Sequence, residues 1–360
     1  MGIIFRYITK ELFTSLFGTL MVLLIIFMSN QFVHFLQFAA SGHITMSAVM
    51  RLMSLQAPFL LGYLTPLAMY LSILLVFGRL YLDHEMTVMS ACGVGPGSFL
   101  SVVLTVGIIV SLVVGFLMLW LEPFLDTQRI KIFYESVANT TVEKVMPKRF
   151  QTLGNDLVFY ADNVERGRLS MSNIFFAQRA KPRADGSRPW DITVAKQAQE
   201  TYINNNRFIS FKDGYRYSGA SGEPNFQIIQ YQEYGVRLAQ ELPTHSGWPS
   251  NASTAELWPL RHDPAVAAEL HWRMAMPLSA FVLALLAYPL SRVNPRRGKF
   301  SQLIPAILLY IIYGNFLFLG RAWIRKGLLS FGIGLWWLHG AMALVALSLL
   351  LYRKFKNAYS

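Results

Sequence analysis

A carboxylate, Glu85, lies within an apolar stripe in the segment at residues 79–97, between two long apolar runs of the sequence. Glycines and a proline close this segment, so we expect a helix of about three turns. Residues three and four apart are neighbours on a helix, and those around Glu85 are apolar: Tyr81, Leu82, Val88 and Met89. The spacing allows two interpretations: a docking helix whose Glu85 pairs with a basic or polar group of a partner, or a surface charge beside residues that rest on the lipid interface.

Three cations, Arg321, Arg325 and Lys326, follow another apolar run. Cations at the end of a helix contact either an anionic ligand or the phosphates of the surrounding lipid. The first alternative predicts a site for an anionic substrate such as a phosphorylated lipid. The second alternative, contact with the phosphates of the surrounding lipid, requires no ligand site, and the sequence alone favours it.

Other kinds of chemistry are excluded by the sequence. The closest string to a P-loop, Gly298-Lys299-Phe300-Ser301, has a phenylalanine where a hydroxyl residue is needed, so we expect no nucleotide site of that type. The only cysteine, Cys92, excludes an internal disulfide and a cysteine-rich metal site. Only His34 and His339 lie in or near the apolar runs, which argues against an ion-coupled carrier that acts alone.

The composition is that of an integral membrane protein. Of 360 residues, 54% are hydrophobic and 14% are charged, whereas a soluble domain has about 25% charged residues. The first apolar window is longer than the core of a signal peptide, so we expect it to remain as an anchor. Six windows are long enough to cross a bilayer: residues 12–33, 52–78, 97–121, 274–291, 300–320 and 327–352.

The net charge of +12 follows the membrane rather than a basic domain. If both termini are cytoplasmic, the short inner segments carry more than twice as many basic residues as the short outer loops. This is the positive-inside bias, and it predicts cytoplasmic termini. It also argues against nucleic acid as a partner.

A large polar insertion separates the third and fourth windows. Short β-like runs alternate with turn pairs such as Asp185-Gly186 and Asp213-Gly214, which predicts an antiparallel sandwich or open roll on the outer side. The chain then divides into a membrane half at 1–122, a β-domain at 123–267 and a second membrane half at 268–360. The five predicted strands include residues 157–160, 174–177, 192–195, 208–211 and 226–231.

Several strings give the chain a family resemblance. They are Gly78-Arg79-Leu80-Tyr81 with Glu85-Met86-Thr87-Val88-Met89 and Ala91-Cys92-Gly93, then Glu269-Leu270-His271-Trp272-Arg273, and Val293-Asn294-Pro295-Arg296-Arg297-Gly298. At these residues, and over nearly its whole length, the chain resembles the lipopolysaccharide export permeases LptF and LptG. The last string is more similar to the F member than to the G member.

The resemblance implies a fold and a set of partners. The fold would be six transmembrane helices with an inserted periplasmic β-jellyroll-like domain, in the inner membrane of a Gram-negative bacterium. The chain would be a permease subunit of an ABC transporter for lipopolysaccharide, and not itself an enzyme. Its partners would be a second permease, LptG, a single-span bridge component, LptC, and a dimeric cytoplasmic ATPase, LptB. ATP and Mg would bind to that ATPase, so this chain would carry no cofactor.

The resemblance also implies roles for the candidate residues. Residues 82–92 would be the coupling helix, and Arg321, Arg325 and Lys326 would lie near the mouth of a lipid cavity. An ion-driven lipid carrier and a membrane anchor for the β-domain are the alternatives. One or two helices would suffice for an anchor, so six windows argue against it. The residues implied in coupling to the ATPase are Glu85, Tyr81, Leu82, Met86, Val88 and Met89.

Overall fold

The computed structural model describes most of the chain. The motif at 293–298 and the predicted turn at 185–186 lie outside the described residues. By their internal contacts the residues form two compact units: Met1–Val33, Leu52–Ile130 and Gly247–Ser360 in one, and His34–Arg51 and Lys131–Ser246 in the other. The described residues are 2–40, 44–143, 147–152, 157–165, 170–179, 190–203, 206–219, 227–237, 248–292 and 303–358.

The described residues contain nine α-helices. A π-helical turn, Leu117–Leu121, joins α4 to α5, and a 3-10 turn, Trp258–Leu260, follows α6. The helices are α1 Gly2–Ala40, α2 Met46–Leu82, α3 Glu85–Ala91, α4 Pro96–Phe116, α5 Glu122–Glu143, α6 Thr254–Leu257, α7 Pro264–Leu290, α8 Leu303–Arg325 and α9 Trp336–Ala358.

Five of the described helical stretches are long and apolar enough to cross a membrane: Gly2–Ala40, Met46–Leu82, Pro96–Phe133, Pro264–Leu290 and Leu303–Arg325. They contain the first five predicted windows, apart from Ser291 at the end of the fourth and the beginning of the fifth, which lies outside the described residues.

The sixth predicted window differs from the structure. Its first part is not helical, since Gly327 and Gly334 have φ values of 74° and 41°, a left-handed conformation that interrupts a helix. The apolar helix that remains, Trp336–Tyr352, is shorter than the other five. By length and composition, the sixth span is therefore not confirmed.

The core of the helical unit is built around α7, which packs against α4, α8 and α9. Small residues allow the close approach of α4 and α7, because a Cβ added at Gly107 would lie 3.0 Å from Ala284. Ser111 of α4 also donates a 2.7 Å hydrogen bond to the carbonyl of Pro277 on α7. Tightly packed small residues thus compensate for the lack of a hydrophobic driving force between helices in lipid.

The second unit contains one antiparallel sheet. Its strands follow the chain order β1 to β6, and each pairs with the next. The five long strands confirm the five predicted runs. The described strands follow the order of a meander, so the predicted jellyroll-like fold is not confirmed. The strands are β1 Gln151–Thr152, β2 Leu157–Glu165, β3 Ser170–Arg179, β4 Trp190–Ile203, β5 Asn206–Gly219 and β6 Gln227–Arg237.

The Asp213-Gly214 pair is not the turn that the sequence predicts. It lies inside β5, where Asp213 has a φ of 50°, and Asn173 in β3 has the same φ. Neither residue has a partner in the strand pairing, although its neighbours on both sides do. The left-handed conformation that Asp and Asn tolerate therefore bends the strands and does not reverse the chain.

Gly214 allows a close contact at this bend. A Cβ there would collide with the carbonyl oxygen of Val194 and with the ring of Tyr231. The Tyr231 hydroxyl donates a 3.1 Å hydrogen bond to the same carbonyl. Desolvation, with a smaller contribution from Tyr234, raises the pKa of Tyr231 to about 12. The hydroxyl therefore remains a donor at neutral pH.

Candidate functional site

The predicted coupling helix is shorter than expected. Helix α2 continues out of its apolar run to Leu82, and α3 begins only at Glu85. His84 between them has a φ of 60°, which a right-handed helix does not accommodate. Tyr81 and Leu82 therefore lie on the last turn of α2, and only part of the predicted helix over 82–92 forms a separate element.

The side chains of α3 face different environments. Met86 is 3% exposed and belongs to the hydrophobic core of the helical unit, whereas Val88 is 61% exposed. Glu85 and Met89 are half-buried. Of the predicted apolar residues on α3, Met86 thus fixes the helix to the unit, while Val88 is free to contact a partner.

The Glu85 carboxylate has a partner that the sequence analysis missed. The hydroxyl of Tyr7 on α1 donates a 2.9 Å hydrogen bond to Glu85 Oε2. Four residues further along α1, Glu11 forms a 2.9 Å ion pair with Arg79 of α2. The spacing of Tyr7 and Glu11 places them on one face of α1. Nothing local in the sequence indicates which residues this face contacts.

A cavity of about 380 Å³ lies beside α3. The guanidinium of Arg292 lies 5.9 Å from the centre of the Tyr81 ring. Tyr288, at the end of α7, donates a 3.1 Å hydrogen bond to the Pro96 carbonyl at the start of α4. The lining is mixed, with aromatic, hydroxyl and cationic groups, and it includes Tyr81, Met86, Thr87, Phe99, Tyr288 and Arg292. Such a surface suits a partner side chain with both apolar and polar atoms.

The three predicted cations of α8 and its end differ in their partners and exposure. Arg321 forms a 2.7 Å ion pair with Glu269, and its guanidinium lies 4.6 Å from the centre of the Trp272 ring. Arg325 and Lys326 are exposed. Only these last two are therefore available to an anion without breaking an internal ion pair.

The second partner of Glu269 is a buried arginine. Arg273 has no exposed surface, and its Nε lies 2.9 Å from Glu269 Oε1. Its other nitrogens donate to the carbonyls of Ala252 and Ser250 and to the hydroxyl of Thr254. Arg273 thus ties the segment before α6 to α7.

The sequence analysis overlooked these buried charges. Glu122, Glu269 and Arg273 lie just outside the charge-free windows, on helices that continue past them. Glu122 is 8% exposed and accepts a hydrogen bond from Tyr63. The premise that only histidines are buried was therefore wrong. Among the described residues, no group of His, Cys, Asp and Glu could hold a metal ion.

Five helical stretches long and apolar enough to cross a membrane, with an antiparallel sheet encoded between the third and the fourth, define a multi-pass membrane protein. Residues 6–352 match the family described as lipopolysaccharide export system permease LptF/LptG, and the chain belongs to that family. It is similar to the lipopolysaccharide export system permease protein LptF of Escherichia coli (strain K12), with 28% identity over 314 residues, 86% of this chain and 84% of that protein. The LptF of Shigella flexneri is similar to the same extent.

The family membership confirms the resemblance found in the sequence. The chain is a component of a lipopolysaccharide export system, a multi-pass protein of the inner membrane, and a transporter component rather than a catalytic enzyme. The roles of the coupling and substrate residues stay predictions. The structure shows which of these residues are exposed and which have internal partners.

Proposed function

We propose that the chain is the F-type permease subunit of an ABC transporter that extracts lipopolysaccharide from the outer leaflet of the inner membrane. The complex passes the lipid to a periplasmic bridge toward the outer membrane. The observation that carries the proposal is α3, which places a half-buried carboxylate, Glu85, beside an exposed Val88 on a helix fixed to the unit by Met86. A polar group with an apolar neighbour on a rigid element is what a docking partner requires.

The energy comes from another chain in this proposal. Extraction of lipopolysaccharide exposes acyl chains to water at a cost of about 0.8 kcal/mol per CH₂ group. The sequence has no P-loop motif, so a dimer of the LptB ATPase supplies ATP and Mg. LptG is the second permease, and LptC is the single-span component that begins the bridge. Nucleic acid plays no part.

The proposed topology places both termini in the cytoplasm and the sheet in the periplasm. Helix α9 is the sixth span, since the apolar stretch Trp336–Tyr352 is about 25 Å long at 1.5 Å per residue. The boundaries 1–122, 123–267 and 268–360 remain our division of the chain. The meander of β1 to β6 forms part of a jellyroll-like domain in this scheme.

Substrate contact is assigned to the cations at the outer end of α8. Arg325 and Lys326 are exposed and bind phosphates of the lipid. Arg321 contributes positive potential while it stays paired with Glu269.

The test is co-purification of the full chain with LptG and LptB of the same organism. Glu85→Ala is expected to reduce recovery of the ATPase, or to uncouple ATP hydrolysis from transport, while the permease remains in the membrane. Asp83→Ala is the matched control, because Asp83 is an exposed carboxylate two residues before α3. Normal recovery and normal transport with Glu85→Ala would overturn the proposal.

An ion-driven carrier is the second candidate, and the buried Glu122, Glu269 and Arg273 keep it open. It predicts that the chain moves lipid in liposomes without ATP or an ATPase. Transport that requires the ATPase would exclude this alternative.

A further inference from the structure

Three polar contacts hold the first part of α1 against α2 and α3. Tyr7 donates to Glu85 Oε2 at 2.9 Å, and Arg79 pairs with Glu11 at 2.9 Å. The hydroxyl of Ser72 donates to the carbonyl of Leu12, also at 2.9 Å. The contacts join the start of α1 to both α2 and α3.

The fully buried residues of α1 all lie in the same half of the helix. Its buried residues are spaced by four, which places them on one stripe: Ile8, Leu12, Leu16 and Leu20. In the described residues from 21 to 33, no side chain is buried. The first half of α1 is therefore held firmly by the rest of the helical unit.

The Tyr7 hydrogen bond leaves half of the Glu85 carboxylate available. Oε2 accepts from Tyr7, and among the described residues Oε1 has no hydrogen bond. A flexible glutamate loses rotamer freedom when it binds a partner, and a hydrogen bond that already fixes its orientation reduces this loss. Tyr7 lies 78 residues from Glu85 in the chain, so the contact is created by packing.

We infer that Tyr7 is a positioning residue for the docking of Glu85, and that its hydroxyl makes α1 part of the moving coupling unit. Tyr7 aims the free oxygen of Glu85 at the partner's basic or polar group. A displacement of α3 then reaches α1 through Tyr7 and through the Glu11–Arg79 pair. The inference rests on the proposed function, because it requires that Glu85 docks an ATPase.

The experiment compares Tyr7→Phe with the unchanged full-length permease pair in lipid nanodiscs. The substitution removes one hydroxyl and keeps the ring. Tyr70→Phe is the matched control, since Tyr70 also loses a hydroxyl that donates a 2.9 Å bond, in this case to the Ala306 carbonyl between α2 and α8. Binding of purified LptB and lipopolysaccharide-dependent ATP hydrolysis are measured for each variant.

We expect Tyr7→Phe to weaken LptB binding about threefold to tenfold, the size of the net contribution of a typical hydrogen bond. Tyr70→Phe should leave binding unchanged. In a Glu85→Ala background, Tyr7→Phe should have no further effect, because both changes remove the same oriented carboxylate. A purely structural role for Tyr7 would weaken binding equally in both backgrounds.

The remaining outcomes separate failure of this inference from failure of the proposed function. Unchanged binding with Tyr7→Phe, while Glu85→Ala weakens it, overturns this inference and leaves the proposed function standing. An equal effect of Tyr7→Phe in both backgrounds also overturns the inference. Unchanged binding and transport with Glu85→Ala overturn the proposed function itself, and the inference falls with it.

Discussion

Arg273 and Glu269 lie one turn apart on α7 and form a 2.9 Å ion pair with 0% and 4% of their side chains exposed. The same carboxylate binds Arg321 of α8 through its second oxygen at 2.7 Å. Arg273 in turn donates to the segment before α6. One glutamate thus links α7 to α8, and one arginine links α7 to the segment that precedes α6.

Removal of Arg273 should therefore destabilise the helical unit. Arg273→Ala leaves Glu269 with a single partner and leaves the carbonyls of Ser250 and Ala252 without their donor. We expect a loss of about 3–5 kcal/mol, since one member of a buried ion pair is removed. Thermal unfolding in detergent measures this, with Arg325→Ala as an exposed control. Equal melting temperatures for the two variants would contradict the structural role of Arg273.

Substitution by aspartate should impair ATPase binding at Val88 and folding at Met86. Val88→Asp places a charge on an exposed position, so we expect normal folding and roughly tenfold weaker ATPase binding. Met86→Asp places a charge in the core and should lower the yield of folded protein. Membrane yield and co-purified ATPase are measured for both. Normal ATPase recovery with Val88→Asp would show that this face of α3 is not the docking surface.

The exposed cations should contribute to lipid binding more directly than the paired one. Combined Arg325→Gln and Lys326→Gln should reduce crosslinking of lipopolysaccharide about two- to fivefold without changing the melting temperature. Arg321→Gln should lower the melting temperature, because Glu269 loses a partner. Crosslinking and unfolding are compared in the same preparations. Unchanged crosslinking in the double variant would mean that Arg325 and Lys326 only contact bulk lipid phosphates.

Gly214→Ala should weaken the sheet at its bend. The added methyl group collides with the Val194 carbonyl, and the neighbouring Tyr231 ring cannot give way without losing its hydrogen bond. We expect faster hydrogen exchange of the amides of β4 and β5. Gly235→Ala is the control, because the nearest atom to its added methyl, on Phe208, lies 3.8 Å away. Identical exchange in the two variants would show that the bend does not require a glycine.

The sequence predicted those elements whose signal is local. Five spans and five strands were predicted correctly. The length of an apolar run indicates that the segment can cross a membrane, and an alternating pattern indicates a strand with one buried face. The break at His84 and the bend at Asp213 were missed. Both residues adopt left-handed backbone conformations, and a sequence shows which residues tolerate such a conformation but not where the fold uses it.

Composition, hydropathy and short motifs were sufficient to determine that this is a membrane permease of a known family, whereas the docking role of the segment around Glu85 stays a prediction. The sequence could not determine that Tyr7 binds Glu85, or that Glu269 binds both Arg273 and Arg321. Two of these contacts join residues 78 and 52 positions apart, and the third depends on burial of the whole α7 face. The packing of helices that are distant in the chain decides which partner each group meets. Burial of a charge costs desolvation free energy, and only groups that the tertiary structure brings close can offset it.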